Sequence, residues 1–260
     1  MGRDTEIYTL NSAKAREKLH PHLVTNSANF KKYISHWNLL FEKHNQIEDT
    51  VTFDEIIGKV RTDFNRIFPK ELNQIIGWLD ENYSEERTYG KEDQFNVYLT
   101  DFGIEQVLDL SRDDAYSFMW QLSNYEDEFP LIKTGTGSDS SANIKADDFI
   151  QFLDYMILLT GKLIAVWNMQ SFSKEEHDEL KAIKNSSRNV KILNELVELE
   201  VNIIIKYWDE YMNGPNGKWN GPAGPESNTM FNGGYFFSKS IELKKALINS
   251  NSNIIICDSI

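Results

Sequence analysis

The chain has 260 residues, 40% of them hydrophobic and 12% aromatic, enough for one large domain or two small ones around a buried core. Its formal net charge of −13 disfavours nucleic acid and anionic membrane surfaces as partners and makes a cationic protein easy to attract. The single cysteine, Cys257, excludes an internal disulfide and points to a reducing, cytoplasmic setting.

Met1 to Glu6 has no apolar stretch, so no signal peptide is expected, and Glu6 stands where a myristoylation signal requires Ser or Thr. Glu6-Ile7-Tyr8-Thr9-Leu10 reads as a strand. His20 and His22 flank Pro21. Neither His-Glu-x-x-His nor Cys-x-x-Cys occurs, so these two histidines, with remote carboxylates, are the metal-ligand candidates. No cofactor is expected. Phe30, Tyr33, Ile34, Trp37, Leu40, Phe41 and His44 share one face of a helix over 29–46, with His44 at the edge of the core. Thr52-Phe53-Asp54-Glu55 has capping-box spacing and opens a helix through Ile67. Pro69 sits in the first turn of the next, which carries Leu72, Ile75, Ile76 and Leu79.

Phe95, Val97 and Leu99 alternate with polar residues and predict a strand. Ser111 to Asp114 opens a helix containing Met119 and Trp120. The Gly/Ser-rich stretch 135–143 is the clearest linker and lacks the Gly-Lys-Ser/Thr ending of a phosphate loop. A helix follows over 147–170. Its apolar run Tyr155–Trp167 is broken by Thr160-Gly161-Lys162 and reads as a core helix rather than a membrane span. Ser173-Lys174-Glu175-Glu176 is a second capping box, with His177 in the acidic helix start. The longest helix runs over 189–212. A segment with Gly214, Pro215, Gly217, Gly221, Pro222, Gly224 and Pro225 then bars regular structure. Tyr235-Phe236-Phe237 is a candidate strand, 238–248 a helix, and Asn253–Cys257 a β-branched strand.

These elements predict a mainly α, α+β fold: a body of about eight helices with a small sheet formed near the two chain termini. The preferred organisation is a single domain, 1–260; the linker at 135–143 offers a division into subdomains 1–134 and 144–260.

Nucleophile motifs are absent, and two features remain as functional candidates. On the longest helix, Glu200 falls among Leu193, Leu196, Val197, Ile203 and Ile204, opposite the polar stripe of Lys191, Glu195, Glu198 and Asn202. Lys162 stands likewise inside an apolar helix. A carboxylate in a core must be paired, hydrogen-bonded or neutral, so Glu200 and Lys162 are the catalytic candidates. Each alternatively lies at an interface edge with its head in water. The second feature is the aromatic crowd around the Gly/Pro segment: Tyr211, Trp219, Met230, Phe231 and Tyr235, with Lys218, form the expected partner-binding set. The leading functional expectation is an acidic module that binds or neutralises a basic protein partner, in the manner of inhibitors and immunity proteins. The alternative is an enzyme whose Gly/Pro lid closes over a pocket containing Glu200. A homo-oligomer built through the aromatic segment and the C-terminal strand is the third.

Overall fold

The computed structural model describes residues 5–83, 92–110, 142–168, 171–186, 190–213, 233–248 and 252–258. The fold is α+β, mainly helical with a small sheet, as the helical periodicity and the terminal strands predict. The chain forms two compact units. The first is assembled from residues 1–109, 133–146 and 250–260, the second from 110–132 and 147–249.

The first unit is built on a sheet of order β2-β1-β4-β3, from β1 (Thr5–Leu10), β2 (Ile104–Leu110), β3 (Ala142–Ile144) and β4 (Ile254–Asp258). β4 runs antiparallel to both β1 and β3, pairing Ile7 with Ile256 and Asn143 with Ile255. Ile254, Ile255, Ile256 and Cys257 are all fully buried, which is why this strand reads as an unbroken β-branched run rather than an alternating one. Asn143 and Asn253 tie the last two strands to a 3₁₀ turn at Phe64–Arg66: the Asn143 amide donates to the carbonyl oxygens of Asn65 and Ile67, and the Asn253 amide to that of Asn65.

Between β1 and β2 the chain is helical. α1 (Ser12–Lys14), capped by Asn11, continues through a π-helical stretch at Ala15–Leu19 into α2 (His20–Thr25). The periodicity did not single out this segment, although Ala15, Leu19 and Leu23 bury one stripe of it. α3 (Ser27–Lys43) is shorter than expected and leaves His44 exposed as its C-cap, not at the core edge. α4 (Phe53–Thr62) starts at the predicted capping box, with the Glu55 N–H donating to Thr52 Oγ1 and the Thr52 N–H to Glu55 Oε2. It ends well before Ile67 because Asp63 turns extended and its carboxylate accepts from the Asn65 N–H, which starts the 3₁₀ turn. α5 (Pro69–Tyr83) begins at the proline, as predicted.

α6 (Glu92–Asp101) replaces the strand expected at Phe95, Val97 and Leu99. Phe95 and Leu99 are buried one helical turn apart while Val97 is 65% exposed, so the spacing that counts is four, not two. Gly103, at φ +85°, then turns the chain into β2, where a side chain would strike the Asn11 carbonyl. The core of this unit packs Phe30, Phe64, Trp78 and Leu99 with Tyr8, Ile255 and Cys257 of the sheet.

The second unit contains α7 (Ala146–Trp167), α8 (Lys174–Asn185), α9 (Val190–Asn213) and α10 (Gly233–Ile248). α7 has the length and composition of a membrane span, but 67% of its most apolar window is buried inside the protein, as a core helix requires. Gly161 lets it approach Leu180 of α8 and Phe237 of α10, and Lys244 of α10 joins Asp154 of α7 to Glu179 of α8. α8 begins at the second predicted capping box. α10 begins at Gly233, so Tyr235-Phe236-Phe237 is helical rather than a strand. Phe236 and Phe237 are buried and Tyr235 exposed, a helix-face pattern. The fourth strand comes instead from the tail of the predicted linker, Ala142–Ile144. The expected helix over 111–122, the rest of that linker, and the Gly/Pro segment lie outside the described residues.

Candidate functional site

A cavity of about 530 Å³ opens in the first unit, within the usual size range of ligand pockets. β1 contributes Glu6 and Tyr8, two residues apart on one strand face, and β2 contributes Gln106 and Asp109. α3 contributes Tyr33 and Trp37, one turn apart on the face that the periodicity assigns to the interior. α5 contributes Asn73, Gly77 and Asp80 at helical spacing, together with Gln74, and α6 adds Phe95 and Leu99.

Three lining residues are carboxylates, Glu6, Asp80 and Asp109, and no described lining residue is cationic. The Tyr8 hydroxyl donates to Glu6 Oε2 at 2.6 Å, and the Gln106 amide approaches Oε1 at 3.5 Å, which orients the Glu6 carboxylate. Burial, and then the Glu6 charge, push the Tyr8 phenol far above its ordinary range, so it remains a donor. The Tyr33 phenol is pushed up to about 12, by burial first and then by the Glu81 and Asp80 carboxylates, with Trp37 working the other way.

Gln74 is the distinctive member of the wall. It is 2% exposed, and its side-chain carbonyl oxygen has no hydrogen-bond partner among the described residues. A buried amide oxygen left without a donor costs about 1–3 kcal/mol. The cavity thus combines carboxylates with aromatic surface, a set suited to a cation.

A second cavity, of about 700 Å³, lies in the second unit. Its charges are mixed: Lys162, Lys181, Lys184 and His177 stand with Asp178 and Glu198, and the lysines of α8 are exposed. Lys162 donates to Glu198 with its head partly in water, the interface-edge arrangement open to it from the sequence. Glu200, two residues further along α9, is buried at 1% exposure and lines neither cavity. The structure therefore does not bring Lys162 and Glu200 into one described pocket. His20 is half-buried, and His22 packs against Trp78 and Phe102 with ring centroids 5.6 and 4.9 Å away. Among the described residues no group of three His, Cys, Asp or Glu side chains is placed to hold a metal ion.

Of the expected partner-binding set, Tyr235 is exposed near the start of α10 and Tyr211 belongs to α9. Lys218, Trp219, Met230 and Phe231 lie outside the described residues. Sequence reasoning missed Gln74, Asp80, Glu6 and Asp109 as a group. The readable signal was Gln74, a polar residue beside Ile75 and Ile76 on a helix read by its apolar stripe. No family model matches the chain, and no characterised protein or solved structure resembles it closely enough to support a comparison.

Proposed function

We propose that the chain is an acidic, cytoplasmic interaction module that holds or neutralises a basic protein, as inhibitors and immunity-type proteins do, and that a cationic side chain of the partner seats in the cavity of the first unit. The observation that carries this reading is the placement of Glu6, Asp80 and Asp109 on one cavity. Like charges gathered in a cleft focus the field on an approaching cation, and the overall charge of −13 adds long-range attraction. The enzyme reading draws no such support: Glu200 lines neither cavity, and the segment that would form its lid lies outside the described residues.

The test is calorimetric titration of the full chain with a lysine- and arginine-rich peptide at low and high salt. Affinity is expected to fall about tenfold or more as salt rises. The double variant Glu6→Gln, Asp80→Asn should lose most of the binding, whereas a control substitution at the exposed Glu17 should not. Equal losses from the cavity and control variants would refute the cavity as the seat of binding, and salt-insensitive affinity would refute the charge argument.

A further inference from the structure

We infer that α8 is a lid on the cavity of the second unit, latched by one ammonium of α10 that it shares with α7. α8 forms one wall of that cavity through His177, Leu180, Lys181 and Lys184. The walls it covers include Leu158 of α7 and Val197 of α9, both buried. Three observations make it a lid rather than a fixed wall, and none depends on the cationic-partner reading, which concerns the other unit.

First, α8 is held by little apolar packing. One of its twelve residues, Ile183, is buried, against twelve of the twenty-two in α7. Leu180 adds a half-buried contact over Gly161. Elements with few buried apolar contacts open below the free energy of global unfolding. Second, α8 carries its own ends. The capping box of Ser173 and Glu176 closes its start, and the Ser186 N–H donates to the Ile183 carbonyl at its finish. These contacts travel with α8 and are not broken by its departure.

Third, the charges are arranged to lose one member. Lys244 of α10 pairs with Asp154 of α7, at 2.7 Å, and with Glu179 of α8. Its side chain is 12% exposed, so leaving it without any carboxylate would be costly. When α8 lifts, Asp154 keeps that ammonium paired and Glu179 enters water. With α8 in place, two carboxylates share one positive charge and repel each other. The buried cation is therefore satisfied in both positions of α8, as a two-position element requires. The other ion pair to α10, Glu175 with Lys245, is exposed and adds little.

The experiment is amide hydrogen exchange of the full chain, with α8 read relative to the buried turns of α7. Sodium chloride is raised from about 0.01 M to about 1 M, which shortens the Debye length from about 30 to about 3 Å. α8 is expected to exchange at least about tenfold faster than α7 at low salt, and about fivefold faster again at high salt. Glu179→Gln should speed α8 about tenfold, and the control Glu175→Gln by less than about twofold. Asp154→Asn has the opposite sign. It leaves Lys244 with Glu179 alone, so opening would strand the ammonium, and α8 should exchange about threefold more slowly. Salt and Glu179→Gln decide the question if that variant does not fold. Exchange of α8 in step with α7, or an α8 rate indifferent to salt and to Glu179→Gln, overturns the lid. Faster exchange of α8 in a folded Asp154→Asn variant overturns the shared latch, as does an equal effect from Glu175→Gln and Glu179→Gln.

Discussion

A Cβ at position 77 would stand 2.3 Å from the Tyr33 hydroxyl but 3.5 Å from the ring carbon that bears it. The hydroxyl alone therefore requires glycine in the middle of α5, where glycine costs about 1 kcal/mol relative to alanine. Gly77→Ala should consequently cost about 1–2 kcal/mol, the overpacking of a rigid phenol outweighing the gain in helix propensity. In a Tyr33→Phe background the same substitution should stabilise by about 1 kcal/mol, and urea unfolding of the four proteins measures the reversal. His22 gives a second prediction at this scale. Burial lowers its pKa below the ordinary 6.5, so the fold prefers the neutral ring. The unfolded chain then takes up its proton first as pH falls. The stabilisation is complete above that value and is lost toward the lower folded pKa. His22→Leu should flatten the decline in stability between about pH 7 and pH 5, read from thermal melts across that range.

The helix α5 shows how an element can be legible at its start and opaque at its purpose. Pro69 announces it, but what secures its first turn is Glu71, 3% exposed, which accepts from the Phe68 N–H at 2.8 Å and from Lys59 of α4 at 2.6 Å. Lys59 also lies 4.0 Å over the Phe68 ring. Glu71→Ala should cost about 2–4 kcal/mol, because it removes an N-terminal cap and leaves a half-buried ammonium without its carboxylate. Lys59→Met, which keeps the apolar stem, should cost less; chemical denaturation of the two variants gives the ranking. The capping boxes at Thr52 and Ser173 were readable because each is a contact within four residues. The strand read at Phe95–Leu99 failed because three apolar residues at alternate positions fit a helix equally well when the middle one faces water. Tyr235-Phe236-Phe237 failed for a related reason: β propensity within a short aromatic run yields to the packing of Phe236 and Phe237 in a helical unit. The cavity was less legible still. Its wall joins residues from β1, α3, α5, α6 and β2, and the neighbourhood of β1 and β2 is a property of the sheet order, not of any local pattern.

At the scale of the molecule, the sheet order determines where the chain can be divided. β4, from the C-terminal end of the sequence, lies between β1 and β3 and is buried throughout Ile254–Cys257. Without it β1 loses the neighbour on one of its edges, and Tyr8 loses the packing of Ile255 and Cys257 in the core. A fragment of residues 1–134 retains β1, β2 and the helices around the cavity but neither β3 nor β4. It should melt without a cooperative transition and fail to bind the lysine- and arginine-rich peptide, because the strands that carry Glu6 and Asp109 are then not held in a complete sheet. Circular dichroism melts of the fragment and of the full chain make the comparison. Amide exchange in the full chain should place β1 and β4 among its slowest sites, since a central strand opens only when its unit unfolds. Cooperative melting of the fragment would instead assign the stability of this unit to its helices and reduce the sheet to a clasp on the chain ends. The cavity would then be a feature of the helical layer, and Asp80, rather than Glu6 and Asp109, would be the residue to which cation binding answers.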